Sequence, residues 1–316
     1  NQCHCRCYFC GYADNSLKDE FTGLSVKDEL SFEDVQRIVD QLPRRSVITF
    51  TGGEPVLAKD FYHIVAYAAQ RHKVQVMTSG AVLNREKILQ LIDAGIWIIN
   101  FSLDVPVREI HDSIRGQAGL FEKVTDMLRQ ISALKRSGGL NRPLVHVNTV
   151  VLKESIPLLP RMVTLCSDLG VNWLSFAALK TGNGLPGYGL GDLIDLEMKL
   201  KESIALAAHS GLILRVGEEL ERTADVIRRD RQSTKCDVPR NSFDPSAAAC
   251  YAPWTSLFVS TDGTARICSV ILGNIRDSRI KELWNNQAAR AARRNIFLGQ
   301  DALPSECQGC CLKVGR

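Results

Sequence analysis

The sequence predicts an α/β protein: a parallel sheet covered by helices, followed by a smaller α+β domain. Three observations predict it. Short apolar runs alternate with amphipathic stretches from about residue 28 to residue 216, joined by short connections. That rhythm stops at a polar segment, 230–248, which carries Pro239 and Pro245. The chain of 316 residues, 45% hydrophobic and 23% charged, can bury one substantial core and still supply an appended domain.

Each element has its own justification. Leu30, Val35, Ile38 and Val39 share one face of a helix over about 28–40. The run Ser46-Val47-Ile48-Thr49-Phe50 is a strand that ends in Thr51-Gly52-Gly53-Glu54-Pro55. Phe61, Ile64, Val65 and Ala68 mark a helix over 60–71, and 74–78 is the next strand. A helix at 84–93, a strand at 96–102 and a helix at 119–136 follow, the last ended by Gly138-Gly139. Strand 144–151, helix 156–168 and strand 172–176 continue the alternation. A glycine-rich loop, 182–191, then leads into a helix over 192–210, stopped by Gly211 before strand 212–216. Beyond the linker, 256–261 and 264–268 form a hairpin around Asp262-Gly263, and a helix spans 278–294.

Bulk properties exclude several classes. A net charge of +4 with scattered Lys and Arg offers no basic stripe, so no nucleic-acid partner is expected. No apolar run reaches the length of a membrane span, and no membrane association is expected. Eleven cysteines, bunched at positions 3–10 and 307–311 with Cys166, Cys236, Cys250 and Cys268 between, make a poor disulfide framework. Free thiols in this number suit a reducing, cytoplasmic setting. Cys166 falls on the apolar pattern of its helix and reads as core.

The chemistry is concentrated at the start. Cys3, Cys7 and Cys10 are spaced C-x3-C-x2-C, with Cys5 off that spacing. Thiolates this close are soft ligands for zinc or iron–sulfur. Neither the paired C-x2-C layout of zinc sites nor the ferredoxin spacing is present. With Gly52-Gly53-Glu54-Pro55 after a strand, and with Ser102-Leu103-Asp104 followed by His111 to Gly116, the chain resembles the radical S-adenosylmethionine (SAM) enzymes. The resemblance implies a partial (β/α)6 TIM-like barrel over residues 1–229, with a first strand expected upstream of Asn1. It implies a [4Fe–4S] cluster on Cys3, Cys7 and Cys10 whose open iron chelates SAM. Gly52, Gly53, Glu54 and Pro55 then face the SAM amino group, while Ser102, Arg115 and Asn148 contact its carboxylate or ribose. Asp104 is a substrate contact or a base.

A second group follows the linker. Cys250, Gly263-x4-Cys268 and Cys307-x2-Cys310 resemble the twitch domain, a shortened SPASM domain, over 249–316. That implies a second [4Fe–4S] cluster, an auxiliary one, on Cys250, Cys268, Cys307 and Cys310, with Cys311 as an alternative to Cys310; a zinc site on the same thiolates is the other reading. The family chemistry implies a flavodoxin- or ferredoxin-type electron donor and a 5′-deoxyadenosyl radical that takes hydrogen from a substrate C–H. The expected substrate is a polar small molecule such as an aminoglycoside, aminosugar or aminocyclitol, held by Asp192, Asp195 and Glu197. The expected outcome is epimerisation with Cys236 as hydrogen donor. The alternatives are dehydrogenation of a secondary alcohol, with Asp104, Glu218 or His209 as base, radical modification of a ribosomally made peptide, and a non-enzymatic iron–sulfur carrier.

Overall fold

A computed structural model of the chain describes residues 3–10, 29–179, 190–217, 220 and 252–298. Six strands form one parallel sheet in sequence order: β1 (Val47–Phe50), β2 (Lys73–Thr78), β3 (Ile98–Ser102), β4 (Leu144–Val151), β5 (Trp173–Ala178) and β6 (Ile213–Val216). Each strand returns to the sheet through a helix, which is how parallel neighbours must be joined. The connecting helices are α2 (Phe61–Ala69), α3 (Arg85–Asp93), α4 (Arg108–Arg115), α5 (Leu120–Gly138), α6 (Leu159–Asp168) and α7 (Leu190–Ser210).

The two faces of the sheet differ in kind. Along β4, half-buried and buried residues alternate strictly, the period-two signature of a strand with unlike faces. Val145, Val147, Ile99, Phe101, Val74 and Val76 form the buried face under the helices. Phe50 on that side meets Phe61 of α2 edge-on, ring centres 5.5 Å apart. The other face is the inner wall of the partial barrel, and it carries His146 and Asn148.

The sixth strand is the one the sequence places after Gly211. Residues 213–216 pair parallel with β5, Trp173 opposite Ile213 and Phe176 opposite Val216. Among the described residues the parallel sheet thus has six strands. A short helix, α4, also overlaps the motif that runs from His111 to Gly116; its eight residues are too few for periodicity to announce.

Contacts divide the chain into two compact units, the first made of residues 1–23, 43–180 and 185–227, the second of 24–42, 181–184 and 228–316. Helix α1 (Phe32–Gln41), grouped by the sequence reading with residues 1–229, belongs to the second unit. There Leu30 and Ile38 pack on a core of Ala265, Ile267, Leu272, Ile275, Leu283, Ala289 and Ala292. This unit holds a three-stranded antiparallel sheet, β7 (Phe258–Val259), β8 (Thr264–Ile267) and β9 (Val270–Asn274), where the sequence suggested a two-stranded hairpin. One helix precedes it in the chain, α8 (Ala252–Thr255), and two follow, α9 (Ile280–Trp284) and α10 (Gln287–Leu298). The expected single helix over 278–294 is broken because the Asn286 side chain accepts from the Ala289 backbone N–H, 2.9 Å, and caps a new helix.

Candidate active site at the mouth of the sheet

The cysteine segment is held by backbone rather than by its own structure. The Arg6 N–H donates to the Arg115 carbonyl at 2.9 Å, and the Tyr8 N–H donates to the Ile114 carbonyl at 3.3 Å. The C-terminal turn of α4, whose last carbonyls lack intrahelical partners, thus becomes the seat of the segment. Gly116 is required there twice over. Its φ of +58° is left-handed, and a Cβ would stand 2.7 Å from the Arg6 carbonyl oxygen. A turn from Cys7 to Cys10 closes with the Cys10 N–H on the Cys7 carbonyl, 3.0 Å.

The loop after β1 is anchored by its acid. Glu54 is buried, accepting from the Thr78 hydroxyl at 2.8 Å, the Ser79 N–H at 2.9 Å and the Ser79 hydroxyl at 2.6 Å. Its carboxylate therefore ties the loop to the end of β2, while Gly52 lies exposed with φ +134° and open space where a Cβ would be. A residue without a side chain leaves that backbone approachable by a ligand.

Between the two segments lies Cys5. Hydrogen bonds to Cys3 and Cys7, then burial, raise its thiol pKa, while the Ser79 hydroxyl opposes the rise. The same bonds from Cys5 lower Cys3 to about 6 and Cys7 to about 7, against burial in both cases. Cys5 thus hydrogen-bonds to both of its neighbouring cysteines.

Do these residues fit a cluster? Among the described residues, no three His, Cys, Asp or Glu side chains gather as a single metal ion would need. A four-iron cluster asks for something different, namely separate thiolates on separate irons. Cys3, Cys7 and Cys10, carried on one short segment held to the end of α4, are arranged as such a cluster would require.

Comparison with known proteins agrees. Residues 1–156 match the radical SAM superfamily, and residues 250–311 match the SPASM iron–sulfur cluster-binding domain. This chain carries a radical SAM domain followed by a SPASM domain. It is a radical SAM enzyme, and SAM and [4Fe–4S] clusters are its cofactors. An AdoMet-dependent heme synthase of Oleidesulfovibrio alaskensis is 25% identical over 292 residues, spanning 90% of this chain and 71% of that protein. A PqqA peptide cyclase of Granulibacter bethesdensis is 28% identical over 314 residues, 95% of this chain and 75% of the cyclase. Among solved structures, Streptococcus suis SuiB bound to S-adenosylmethionine superposes with a TM-score of 0.66 at 15% identity, over 98% of this chain and 66% of that one. Native anSMEcpe with bound AdoMet gives 0.64 at 19%, over 98% of this chain and 83% of that one.

In this radical SAM enzyme, Ser102 and Asn148 sit opposite each other in register at the C-terminal end of β3 and beside it on β4. Arg115 and Asp104 do not join them. Arg115 is 7% exposed and Asp104 fully buried. Arg115 Nε donates to Asp104 Oδ2 at 2.6 Å and Nη2 donates to Oδ1 at 2.8 Å. Asp104 Oδ1 also accepts from the Val150 N–H at 3.1 Å. The two groups bond each other through both carboxylate oxygens, and the remaining guanidinium nitrogen, Nη1, lies 3.7 Å from Cys7 Sγ. Burial alone would lower the Arg115 pKa; Asp104, and then Cys7, outweigh it and raise it.

Several expected site residues take other positions. Asp192 pairs with Lys153 at 3.0 Å and Glu197 with Lys201 at 2.6 Å, while Asp195 is exposed on the same helix, α7. His209 is exposed in the last turn of that helix. Cys166 is buried core, its thiol pKa raised by burial. Cys268 falls at the first position of the two-residue turn between β8 and β9, with φ +50°. Left-handed backbone there favours Gly or Asn, so the cysteine stands in a conformation L side chains rarely adopt. Cys236, Cys250, Cys307, Cys310, Cys311, Glu218, the loop 182–189 and the linker 230–248 lie outside the described residues.

Sequence reading missed a polar ladder on the inner wall. His146 Nδ1 bonds Asn100 Oδ1, its Nε2 lies 2.8 Å from the Ser175 hydroxyl, and its ring stacks on Trp173 at 5.1 Å. Asn100 donates its amide N–H to the Val76 carbonyl at 3.2 Å, which leaves its oxygen to accept from Nδ1–H. The Asn100 contact thus calls for a proton on Nδ1 of the imidazole. Burial first, then Arg215, lowers its pKa to about 4. Arg215 of β6 stands 5.5 Å above the Trp173 ring. The available signal was polar residues at alternate positions of otherwise apolar strands, as His146 and Asn148 are in β4.

Proposed function

We propose that this radical SAM enzyme takes a hydrogen atom from a C–H bond of a peptide with neutral or acidic side chains, presented at the C-terminal mouth of the sheet. When bound, SAM and its cluster supply the 5′-deoxyadenosyl radical that performs the abstraction. This chain's residues seat and orient the reactants. Cys3, Cys7 and Cys10 hold the cluster, the exposed Gly52–Gly53 backbone offers carbonyls to an ammonium, and Ser102 and Asn148 offer a hydroxyl and an amide beside it.

The observation that carries the substrate class is the charge of the inner wall. None of the six strands contains Asp or Glu, and Arg215 supplies a positive charge to that wall. Glu54 and Asp104 at the strand ends are buried and internally bonded, and Asp192 and Glu197 are paired with lysines on α7 and before α6. Apart from exposed Asp195 on α7, a polyammonium sugar would find these carboxylates already bonded, whereas a carboxylate would meet a guanidinium. The 28% identical relative named as a peptide cyclase supports the same reading.

The test is anaerobic incubation of the reconstituted enzyme with SAM, a low-potential reductant and either a panel of peptides or an aminoglycoside. We expect acidic peptides to stimulate 5′-deoxyadenosine formation and to change in mass. Stimulation by the aminoglycoside alone would restore the aminosugar reading. In deuterated water, one solvent deuteron at an inverted carbon, lost in Cys236→Ala, identifies epimerisation; a product two hydrogens lighter identifies oxidation.

A further inference from the structure

We propose that the buried Asp104–Arg115 pair is a positioning device that sets the reduction potential of the SAM cluster through Cys7. This rests on the reading of Cys3, Cys7 and Cys10 as its ligands. The guanidinium presents three nitrogens in one plane. Two are consumed by Asp104, at 2.6 and 2.8 Å, and the third, Nη1, stands 3.7 Å from Cys7 Sγ. Phe9 covers the group from above, its ring centre 5.3 Å from Cζ. The carboxylate that aims the fork is fixed in turn by the Val150 N–H on β4, and the Asp104 N–H bonds His111 Nδ1 at 3.2 Å. The Arg115 carbonyl receives the Arg6 N–H, so one residue supports both the backbone and the sulfur of the cluster segment.

The physics has a definite sign. A cluster that accepts one electron gains negative charge, part of it on the cysteine sulfurs. A donor aimed at such a sulfur, in a dry site, favours the reduced form and raises the potential. Asp104 balances the cation, so the intact pair supplies a directed N–H with little net charge. Removing either partner changes the local charge by one unit, in opposite directions.

Asp104→Asn keeps the shape and leaves the guanidinium uncompensated; the cluster should become easier to reduce. Arg115→Gln removes the cation and leaves the carboxylate; the cluster should become harder to reduce. The experiment is an anaerobic redox titration of the reconstituted full chain without SAM, followed by the electron paramagnetic resonance signal of the reduced cluster, with iron content matched between variants. At the parent midpoint we expect the reduced-to-oxidised ratio to change by about tenfold each way, about 59 mV for a one-electron couple. A parent chain that takes up no cluster overturns the ligand reading and this one with it. A loaded parent whose midpoint is indifferent to both substitutions, or shifts the same way in both, overturns this one alone. Where Arg115→Gln fails to retain iron, Asp104→Asn decides: an unchanged or lowered midpoint is fatal.

Discussion

Glu54 shows how a single carboxylate can anchor the loop of a cofactor site. Truncating it to Ala would strip three donors of their acceptor in a buried place. We expect a loss of about 2–3 kcal/mol in urea unfolding, together with loss of SAM cleavage. Gly116→Ala should act more locally. The clash with the Arg6 carbonyl and the left-handed backbone together should displace the cysteine segment, measured as iron uptake falling well below that of the parent while the far-ultraviolet circular dichroism is kept. The histidines give a pH signature. Burial lowers both His111 and His146 to about 4, from an ordinary value of 6.5. The unfolded chain therefore binds more protons between those values, so their contribution to stability is intact above pH 6.5 and is lost as pH falls towards 4. Each histidine contributes at most about 1.4 kcal/mol per pH unit. His146→Gln should flatten part of that slope in urea midpoints taken from pH 7 to 4.5.

At the scale of elements, the turn between β8 and β9 separates fold from function. Asn suits the left-handed position that Cys268 occupies. Cys268→Asn should therefore leave the apo chain as stable or stabilise it by up to about 1 kcal/mol, while the SPASM domain loses a ligand and the auxiliary iron falls. Equal iron in variant and parent would show that Cys268 is not a ligand. The same element explains what the sequence could and could not disclose. The strands and long helices were legible because their apolar period is uninterrupted, as in β2 and β4. The cysteine spacing and Gly52–Pro55 were legible because both are contiguous. Arg115 and Asp104 were not, since eleven positions separate two residues whose pairing depends on α4 bending back under β3. The ladder through Asn100, His146 and Ser175 was hidden likewise, each member on a different strand and aligned only by register. Asn286 escaped notice because a cap inside an apolar pattern looks like one more helical residue.

For the whole molecule, the decisive measurement is iron. One cluster per domain gives about eight irons per chain, and Cys3→Ala, Cys7→Ala and Cys10→Ala together should leave about four while abolishing 5′-deoxyadenosine formation. Helix α1 bears on how such experiments are designed. Its residues precede β1 in the chain, yet Ile38 and the preceding Leu30 pack on the core built by residues 265–292, and Gln41 accepts the Ile280 N–H at 2.8 Å. A segment that precedes β1 in the chain thus belongs to the same compact unit as residues 228–316. Cutting the chain at the linker would orphan an oily helix and invite aggregation, so an inactive truncation would carry no information about the auxiliary cluster; only point changes at its thiols can isolate that role.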